Sequence, residues 1–107
     1  MTTVLLTGSS RGIGAAARAA LEARGCTVIG HGSKAHDEHT IGADLADPQA
    51  PQKLWREAHD RANGRIDVLV NNAGLFDPSP LDGSDIEWLD RWEDTLRINL
   101  TAAAQLS

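Results

Sequence analysis

Three glycines near the start of the chain are spaced so that they could hold the phosphates of a dinucleotide. Residues 7–14 read Thr-Gly-Ser-Ser-Arg-Gly-Ile-Gly, between an apolar run and an alanine-rich run. Gly8 permits a sharp turn, Gly12 lets the backbone approach a pyrophosphate, and Gly14 allows a helix to pack closely. The amides at the start of that helix would then face the phosphates, an arrangement that the helix dipole favours.

This turn is therefore a candidate phosphate-binding site, and its candidate residues are Thr7, Gly8, Ser10, Arg11, Gly12, Ile13 and Gly14. An ordinary turn between a strand and a helix is the alternative interpretation. The phosphate loop of the P-loop proteins is excluded, because no glycine of the chain is followed by Lys and then by Ser or Thr.

The elements that must position this turn alternate between strands and helices. Apolar, β-prone runs predict strands at residues 4–6, 26–29, 41–45 and 66–70. Helices are predicted at residues 15–24, from residue 47 to residue 64, and from residue 84 onwards. Between the second and third strands, the polar residues from 33 onwards predict a loop. This order predicts one α/β domain over residues 1–107, with a Rossmann-type doubly wound parallel sheet of about four strands.

Capping signals and apolar stripes define the second and third helices. Asp47 is the expected N-cap of the second helix and Pro48 its first residue. The apolar stripe of that helix consists of Ala50, Leu54, Ala58 and Ala62. Ser84 and Glu87 predict a capping box at the start of the third helix. The face that we expect the third helix to bury consists of Trp88, Leu89, Trp92, Leu96 and Leu100.

Composition and charge argue against several classes of partner. The chain has 107 residues, a hydrophobic share of 41% and a net charge of −5, which argues against nucleic acid and anionic membranes. No apolar run approaches the roughly 18 residues of a membrane span. Cys26 is the only cysteine, so no internal disulfide can form, and we expect a cytoplasmic protein. His36 and His39 have no cysteine partner, and we predict a solvated loop there and no metal site.

Further polar residues lie where the predicted third and fourth strands end. Asp44 and Leu45 end the third strand, and residues 71–74, Asn-Asn-Ala-Gly, follow the fourth. Open α/β sheets bind ligands at this edge. The alternatives are a helix-capping or turn aspartate for Asp44 and a turn-forming cluster for residues 71–74. Asn99 lies in a predicted helix, where a lone asparagine would otherwise be a solvent-facing residue.

Taken in register over essentially the whole chain, these motifs resemble the short-chain dehydrogenase/reductase family. The family pattern TGxxxGIG matches residues 7–14, its NNAG motif matches residues 71–74, and its catalytic asparagine matches Asn99. The resemblance implies the strand order 3-2-1-4. It also implies an oxidoreductase that transfers hydride between a nicotinamide cofactor and a carbonyl or alcohol substrate.

The same resemblance implies roles for individual residues. Asp44 and Leu45 would read the adenine, the first through its carboxylate and the second through its backbone. Asn72, Ala73 and Gly74 would line the adenine ribose side and help to fix the loop that carries Thr7. Asn99 would bend its helix and hold a water molecule of the proton relay.

The end of the second strand decides which cofactor is expected. Selective NAD binders place an acid about 20 residues beyond the glycines, and Gly32 stands there in this chain. Arg11, Ser33 and Lys34 could instead hold a 2′-phosphate through charge-assisted hydrogen bonds. The sequence therefore predicts NADP in preference to NAD. The alternative is that Arg11 and Lys34 are ordinary solvated charges, and the nearby acids of residues 37–38 weaken the electrostatic argument.

The acid–base residues of the family are missing. The resemblance implies a catalytic tyrosine, a lysine four residues later and a serine, yet the chain contains no tyrosine. We therefore expect the N-terminal cofactor-binding half of such an enzyme, with the catalytic C-terminal half absent and no activity of this chain on its own. The fourth strand would then be an unpaired edge, and the third helix would expose apolar surface.

The sequence is compatible with three functions. The chain could be the N-terminal segment of an NADP-dependent reductase or dehydrogenase, a nucleotide-binding module without catalysis, or a regulatory or assembly product that pairs with full-length subunits. For the complete enzyme the expected partners are NADP(H), a small-molecule carbonyl or alcohol, and further copies of itself in a homo-oligomer. The substrate cannot be named, because the family's substrate loop lies beyond residue 107.

Overall fold

The structure, a computed structural model, describes residues 1–34, 37–76 and 82–107. Its strands are β1 (Thr3–Leu6), β2 (Thr27–Gly32), β3 (Thr40–Gly42) and β4 (Val68–Val70). Its helices are α1 (Gly12–Ala23), α2 (Ala50–Arg61), α3 (Asp85–Leu96), a π-helical segment (Arg97–Thr101) and α4 (Ala102–Leu106). The four strands form one parallel sheet of order β3-β2-β1-β4, which confirms the predicted sheet order.

Strand β1 is central in the sheet and buried on both faces. Leu5 lies beside Ile29 of β2 and Leu69 of β4. Since neighbouring residues of a strand point to opposite faces, Leu5 packs into one apolar cluster and its neighbours Val4 and Leu6 into another. The first cluster is covered by α2 and α4, and the second by α1. The result is a sheet between two helical layers.

Helix α1 begins directly after the glycine-rich turn. Its first residue is Gly12, three residues earlier than predicted, and Arg11 before it has an extended backbone. The helix ends at Ala23, one residue earlier than predicted, and Gly25 follows it as the expected cap: it adopts a left-handed conformation (φ +86°) and donates its N–H to the carbonyl of Glu22 at 3.0 Å. The helix start is therefore held next to the carboxyl end of β1.

The second helix starts later than its capping signals predicted. Asp47 is not the N-cap, because α2 begins at Ala50 and Gln49 is its N-cap; the Asp47 carboxylate accepts a hydrogen bond from the N–H of Gln49 at 2.9 Å, within a turn that precedes the helix. Pro51, and not Pro48, occupies the first helical turn. Strand β3 also ends earlier than predicted, at Gly42, since the chain turns at Asp44. The predicted apolar stripe is correct: Ala50, Leu54 and Ala58 are buried.

The third helix has the predicted cap but not the predicted burial. The Ser84 hydroxyl accepts a hydrogen bond from the N–H of Glu87 at 3.2 Å. The prediction that Leu89, Trp92, Leu96 and Leu100 are buried is wrong for this chain, as these side chains are 40–63% exposed. The physical reason is that the main contacts of α3 are with the π-helical segment that continues it.

The expectations that the chain has no membrane span and no metal site can be compared with the described residues. Within the described ranges, no helix is long and apolar enough to cross a membrane. The same ranges hold no group of three or more side chains suited to bind a metal ion, and His36 lies outside them.

The packing of β1 leads to a stability prediction. Leu5→Ala should lower the free energy of unfolding by about 2–5 kcal/mol, because it leaves a cavity in the central strand. Ile86→Ala is the matched control, since Ile86 is 73% exposed on α3 and its loss should cost less than about 0.5 kcal/mol. Urea denaturation followed by circular dichroism measures both. Equal effects of the two substitutions would contradict this account of the core.

Candidate functional site

A cleft of about 310 Å³ lies at the carboxyl ends of the parallel strands. Its lining residues come from five segments and are Ser10, Arg11, His31, Ser33, Ala43, Asp44, Leu45, Ala73, Gly74, Leu75 and Ile98. A cavity of about 360 Å³ lies elsewhere, between α2 and the end of α4, and none of the predicted site residues lines it. The smaller cleft is the candidate site, because open α/β sheets bind ligands at this edge.

The glycine-rich turn is packed too closely to admit side chains at two of its glycines. A Cβ atom on Gly8 would lie 2.8 Å from the Cα of Ala73, and the residue has a left-handed conformation (φ +65°). A Cβ atom on Gly14 would overlap the carbonyl oxygen of Gly8. At Gly12 the surroundings are the opposite, since no atom lies within 4 Å of where its Cβ would be. The turn is therefore packed closely against the segment that follows β4, and it is open to solvent at Gly12.

Thr7 joins this turn to the segment after β4. Its buried hydroxyl accepts hydrogen bonds from the N–H groups of Asn72 and Ala73, both at 3.0 Å, and donates to the carbonyl of Val70 at 3.4 Å. The side-chain amide of Asn72 in turn donates to the carbonyl of Gly8 at 3.1 Å. Hydrogen bonds thus join the ends of β1 and β4, and they hold in place the segment after β4 that lines one wall of the cleft.

Asn99 fixes the outer part of the same segment. It lies in the π-helical segment, where the helix is widened by one residue per turn. Its side-chain oxygen accepts from the N–H of Leu75 at 2.6 Å, and its amide nitrogen donates to the Leu75 carbonyl at 2.8 Å. Because an amide oxygen can accept two hydrogen bonds and an amide nitrogen can donate two, Asn99 retains capacity for a water molecule.

Asp44 and Leu45 form the opposite wall of the cleft. The Asp44 carboxylate is exposed and accepts from the N–H of Ala46 at 3.0 Å. It therefore serves a turn, as in the simpler interpretation, while a carboxylate can accept further donors. The side chain of Leu45 is buried in the apolar cluster under the sheet.

The residues expected to decide the cofactor lie at the rim. Arg11 and Ser33 line the cleft and are exposed, whereas Lys34 is exposed and does not line it. The nearby carboxylate of Asp37 is engaged in its own loop, where it accepts from the N–H of His39 at 2.8 Å. That hydrogen bond lowers the pKa of the Asp37 carboxyl.

The predicted residues thus divide into three groups. Those that line the cleft are Ser10, Arg11, Ser33, Asp44, Leu45, Ala73 and Gly74. Those that hold its walls in place from beneath or behind are Thr7, Gly8, Gly14, Asn72 and Asn99. Gly12, Ile13 and Lys34 are exposed near the cleft without lining it, and the side chain of Ile13 is 81% exposed.

The sequence reasoning missed His31, which lies at the floor of the cleft. It is only 4% exposed. Its Nδ1 atom accepts from the N–H of Gly8 at 3.1 Å, and its Nε2 atom lies 2.8 Å from the carbonyl oxygen of Ala43. Burial lowers the pKa of this imidazole, and the hydrogen bond to Ala43 opposes that shift. The sequence feature that could have indicated this residue is a single polar side chain between two glycines at the end of an apolar strand.

The sequence of this chain is similar to those of known proteins. The family model described as short chain dehydrogenase matches residues 2–107. Nodulation protein G of Rhizobium sp. (strain N33) is 34% identical over 114 residues, which cover 96% of this chain and 45% of that protein. The 3-oxoacyl-acyl-carrier-protein reductase FabG of Escherichia coli (strain K12) is 33% identical over 115 residues, with the same coverage. The chain therefore spans less than half the length of these relatives.

Solved structures show the same architecture. A blue fluorescent protein from a metagenomic library, in complex with NADPH, superposes with a TM-score of 0.83 at 32% identity, over 98% of this chain and 48% of that one. An oxidoreductase of the short chain dehydrogenase/reductase family from Brucella ovis, in complex with a partially ordered NAD, has a TM-score of 0.80 at 34% identity. This match covers 98% of this chain and 54% of that one.

The hydrogen bonds of Thr7 lead to a prediction about the cleft wall. Thr7→Val removes the acceptor of two amides and should lower the free energy of unfolding by about 1–3 kcal/mol. It should also speed hydrogen exchange of the Asn72 and Ala73 amides. Thr7→Ser is the matched control, because it keeps the hydroxyl and should retain their protection. If both variants exchange these amides at the same rate, the hydroxyl is not what holds the segment.

Proposed function

The chain belongs to the short-chain dehydrogenase family, and from this premise we propose that residues 1–107 are the N-terminal, cofactor-binding part of an oxidoreductase that uses NADP(H). The observation that carries the proposal is the open space beside Gly12, next to the first turn of α1. The first amides of a helix have no intrahelical acceptor and attract anions. A pyrophosphate placed there would face these amides, and no atom lies within 4 Å of the Gly12 Cβ position to obstruct it.

The walls of the cleft suit the remaining parts of the cofactor. Asp44 and the backbone of Leu45 would hold the adenine, and Ala73 and Gly74 would lie along the adenine ribose. The bound nicotinamide supplies the carbon that accepts or releases hydride. The part of Asn99 is to fix the backbone at Leu75 and, with its remaining hydrogen-bonding capacity, to hold a water molecule of the proton relay.

The preference for NADP over NAD rests on the charges at the end of β2. Gly32 stands where an acid would repel a 2′-phosphate, and Arg11, Ser33 and Lys34 are exposed nearby to donate hydrogen bonds to it. The Asp37 carboxylate opposes this only weakly, since it already accepts a hydrogen bond within its own loop. The two similar structures bind NADPH and NAD respectively, so the charges of this chain carry the preference.

The substrate class follows from the family. We propose a carbonyl or alcohol compound for the whole protein, as the name of the related 3-oxoacyl-acyl-carrier-protein reductase suggests for that enzyme. General acid–base catalysis needs a group of tuned pKa at the substrate oxygen, and no tyrosine is present to act there. These 107 residues should therefore bind the cofactor without reducing a substrate.

Two further proposals concern the setting of the protein. The exposed apolar side chains of α3 favour a homo-oligomer of the complete enzyme, and they also suit the alternative of an assembly product that pairs with longer subunits. The lone cysteine, which can form no internal disulfide, favours a cytoplasmic location.

Titration with NADPH and NADH tests the cofactor preference. Arg11→Ala should weaken NADPH binding about tenfold, because one charge-assisted hydrogen bond to the 2′-phosphate is lost. The affinity for NADH should change less than about twofold. Arg24→Ala, at the far end of α1, is the matched control and should alter neither affinity. Equal affinities of the unchanged chain for the two nucleotides would overturn the choice of NADP.

The proposed lack of turnover is tested by NADPH oxidation with a panel of small ketones and aldehydes. The absorbance of NADPH should fall at the rate of the buffer control, even where titration shows that the nucleotide is bound. Reduction above that rate would show that another group supplies the proton. If neither NADPH nor NADH binds to the chain, the proposed function itself is overturned.

A further inference from the structure

His31 connects the two sides of the cleft. On one side its Nδ1 atom accepts the N–H of Gly8, and on the other its Nε2 atom contacts the carbonyl oxygen of Ala43, which follows β3. Its backbone also holds the turn, since Ser9 donates its N–H to the His31 carbonyl at 2.8 Å and the Ser9 hydroxyl accepts the N–H of His31 at 3.0 Å. The imidazole thereby bridges the glycine-rich turn and the adenine side of the cleft.

Only one protonation state of the ring can make both side-chain contacts. A backbone N–H can only donate and a carbonyl oxygen can only accept. The ring must therefore be neutral, with its proton on Nε2 pointing to Ala43 and the lone pair of Nδ1 pointing to Gly8. Protonation of Nδ1 would place two donors against each other at 3.1 Å, and the contact with Gly8 would be lost.

We propose that His31 is a positioning residue for the dinucleotide: the neutral ring holds the Gly8 turn at a fixed distance from the end of β3, and protonation releases the turn and weakens nucleotide binding. This inference rests on the proposed function, because it assumes that a dinucleotide occupies the cleft. His31 itself touches the turn and β3, and acts on the ligand through them.

The surroundings of His31 contain few charges that could set its protonation. Among the described residues, the charged side chains of the same cleft are Arg11 from the start of α1 and Asp44 from the turn after β3, and both are exposed. Arg18, further along α1, is engaged by Glu22 and Thr40. The segment of residues 71–75 after β4 carries no ionisable side chain. Burial is therefore the dominant influence.

The sign of the pH dependence follows from that burial. The pKa of His31 is lowered from its ordinary value of 6.5, so the ring is neutral at neutral pH. The unfolded chain takes up the proton more readily than the folded chain. The stability linked to this group is thus fully present above pH 6.5, and it is lost as the pH falls below that value and through the lower pKa of the folded state.

Two substitutions separate the two contacts of the ring. His31→Asn places an amide oxygen near the position of Nδ1, so it keeps an acceptor for Gly8 and cannot titrate. His31→Gln places its amide near the position of Nε2, so it keeps a donor for Ala43 but loses the acceptor for Gly8. The probe is NAD⁺, because the 2′-phosphate of NADP titrates with a pKa of about 6 and would add its own pH dependence.

Calorimetric titration at about pH 5.5 and pH 7.5 gives the first readout. For the unchanged chain, NAD⁺ affinity should be more than about twofold but less than about tenfold weaker at the lower pH, because a pKa below 6.5 leaves the ring only partly protonated at pH 5.5. His31→Asn should bind with an affinity that changes less than about twofold between the two pH values. His31→Gln should bind weakly at both. If His31 had only a structural role, His31→Asn would bind NAD⁺ as weakly as His31→Gln. Its affinity would also still depend on pH as that of the unchanged chain does.

Nitrogen NMR of the imidazole and of the Gly8 amide gives a readout that needs no nucleotide. The neutral ring should carry its proton on Nε2, and the Gly8 amide should shift with the same midpoint as the ring. A proton on Nδ1 at neutral pH would overturn the inference. So would an acid-induced gain of affinity, in which the imidazolium attracts the phosphates.

Different outcomes would overturn nucleotide binding and the role of His31. If the unchanged chain binds neither NADPH nor NAD⁺ at pH 7.5, the proposed function fails and this inference with it. If it binds and His31→Asn shows the same pH profile as the unchanged chain, only the role of His31 is overturned.

Discussion

The candidate site depends on the hydroxyl group of Thr7. This one group accepts hydrogen bonds from two amides that lie 65 and 66 residues further along the chain. An amide left without an acceptor in a buried place costs free energy, and the two amides follow directly after β4, where the ladder to β1 has ended. Thr7 therefore continues the joining of β1 and β4 past the last pair of the sheet.

The geometry of the glycine-rich turn follows from that joining. Because Asn72 and Ala73 are held against the end of β1, the chain at Gly8 passes Ala73 with no room for a Cβ atom. The start of α1 is in turn held against the Gly8 carbonyl, where Gly14 permits the approach. These close contacts leave Gly12 as the position that opens outward. The phosphate site that we propose is therefore the open side of a turn whose other side is closely packed.

The proposed oxidoreductase function needs both a cofactor site and acid–base residues. The described residues form a cleft with a charged rim and an asparagine that holds the backbone beside it. They do not include a tyrosine for proton transfer, since the sequence contains none. The apolar side chains that α3 exposes are consistent with a surface that further protein covers.

The sequence by itself determined the order of the strands and helices, the parallel sheet and the places of the main motifs. These depend on local patterns: apolar runs for strands, glycines for the turn, and a capping serine for α3. Local patterns were less reliable at boundaries, because Asp47 forms a turn of its own before α2 begins. Only the tertiary structure decided how deeply each apolar face is buried, since burial needs a partner. The third helix finds little of one in this chain, which agrees with the exposed surface that we expected if the catalytic half is absent. The tertiary structure also decided the contacts of His31, whose two partners, Gly8 and Ala43, are brought to the ring only when β1, β2 and β3 pair.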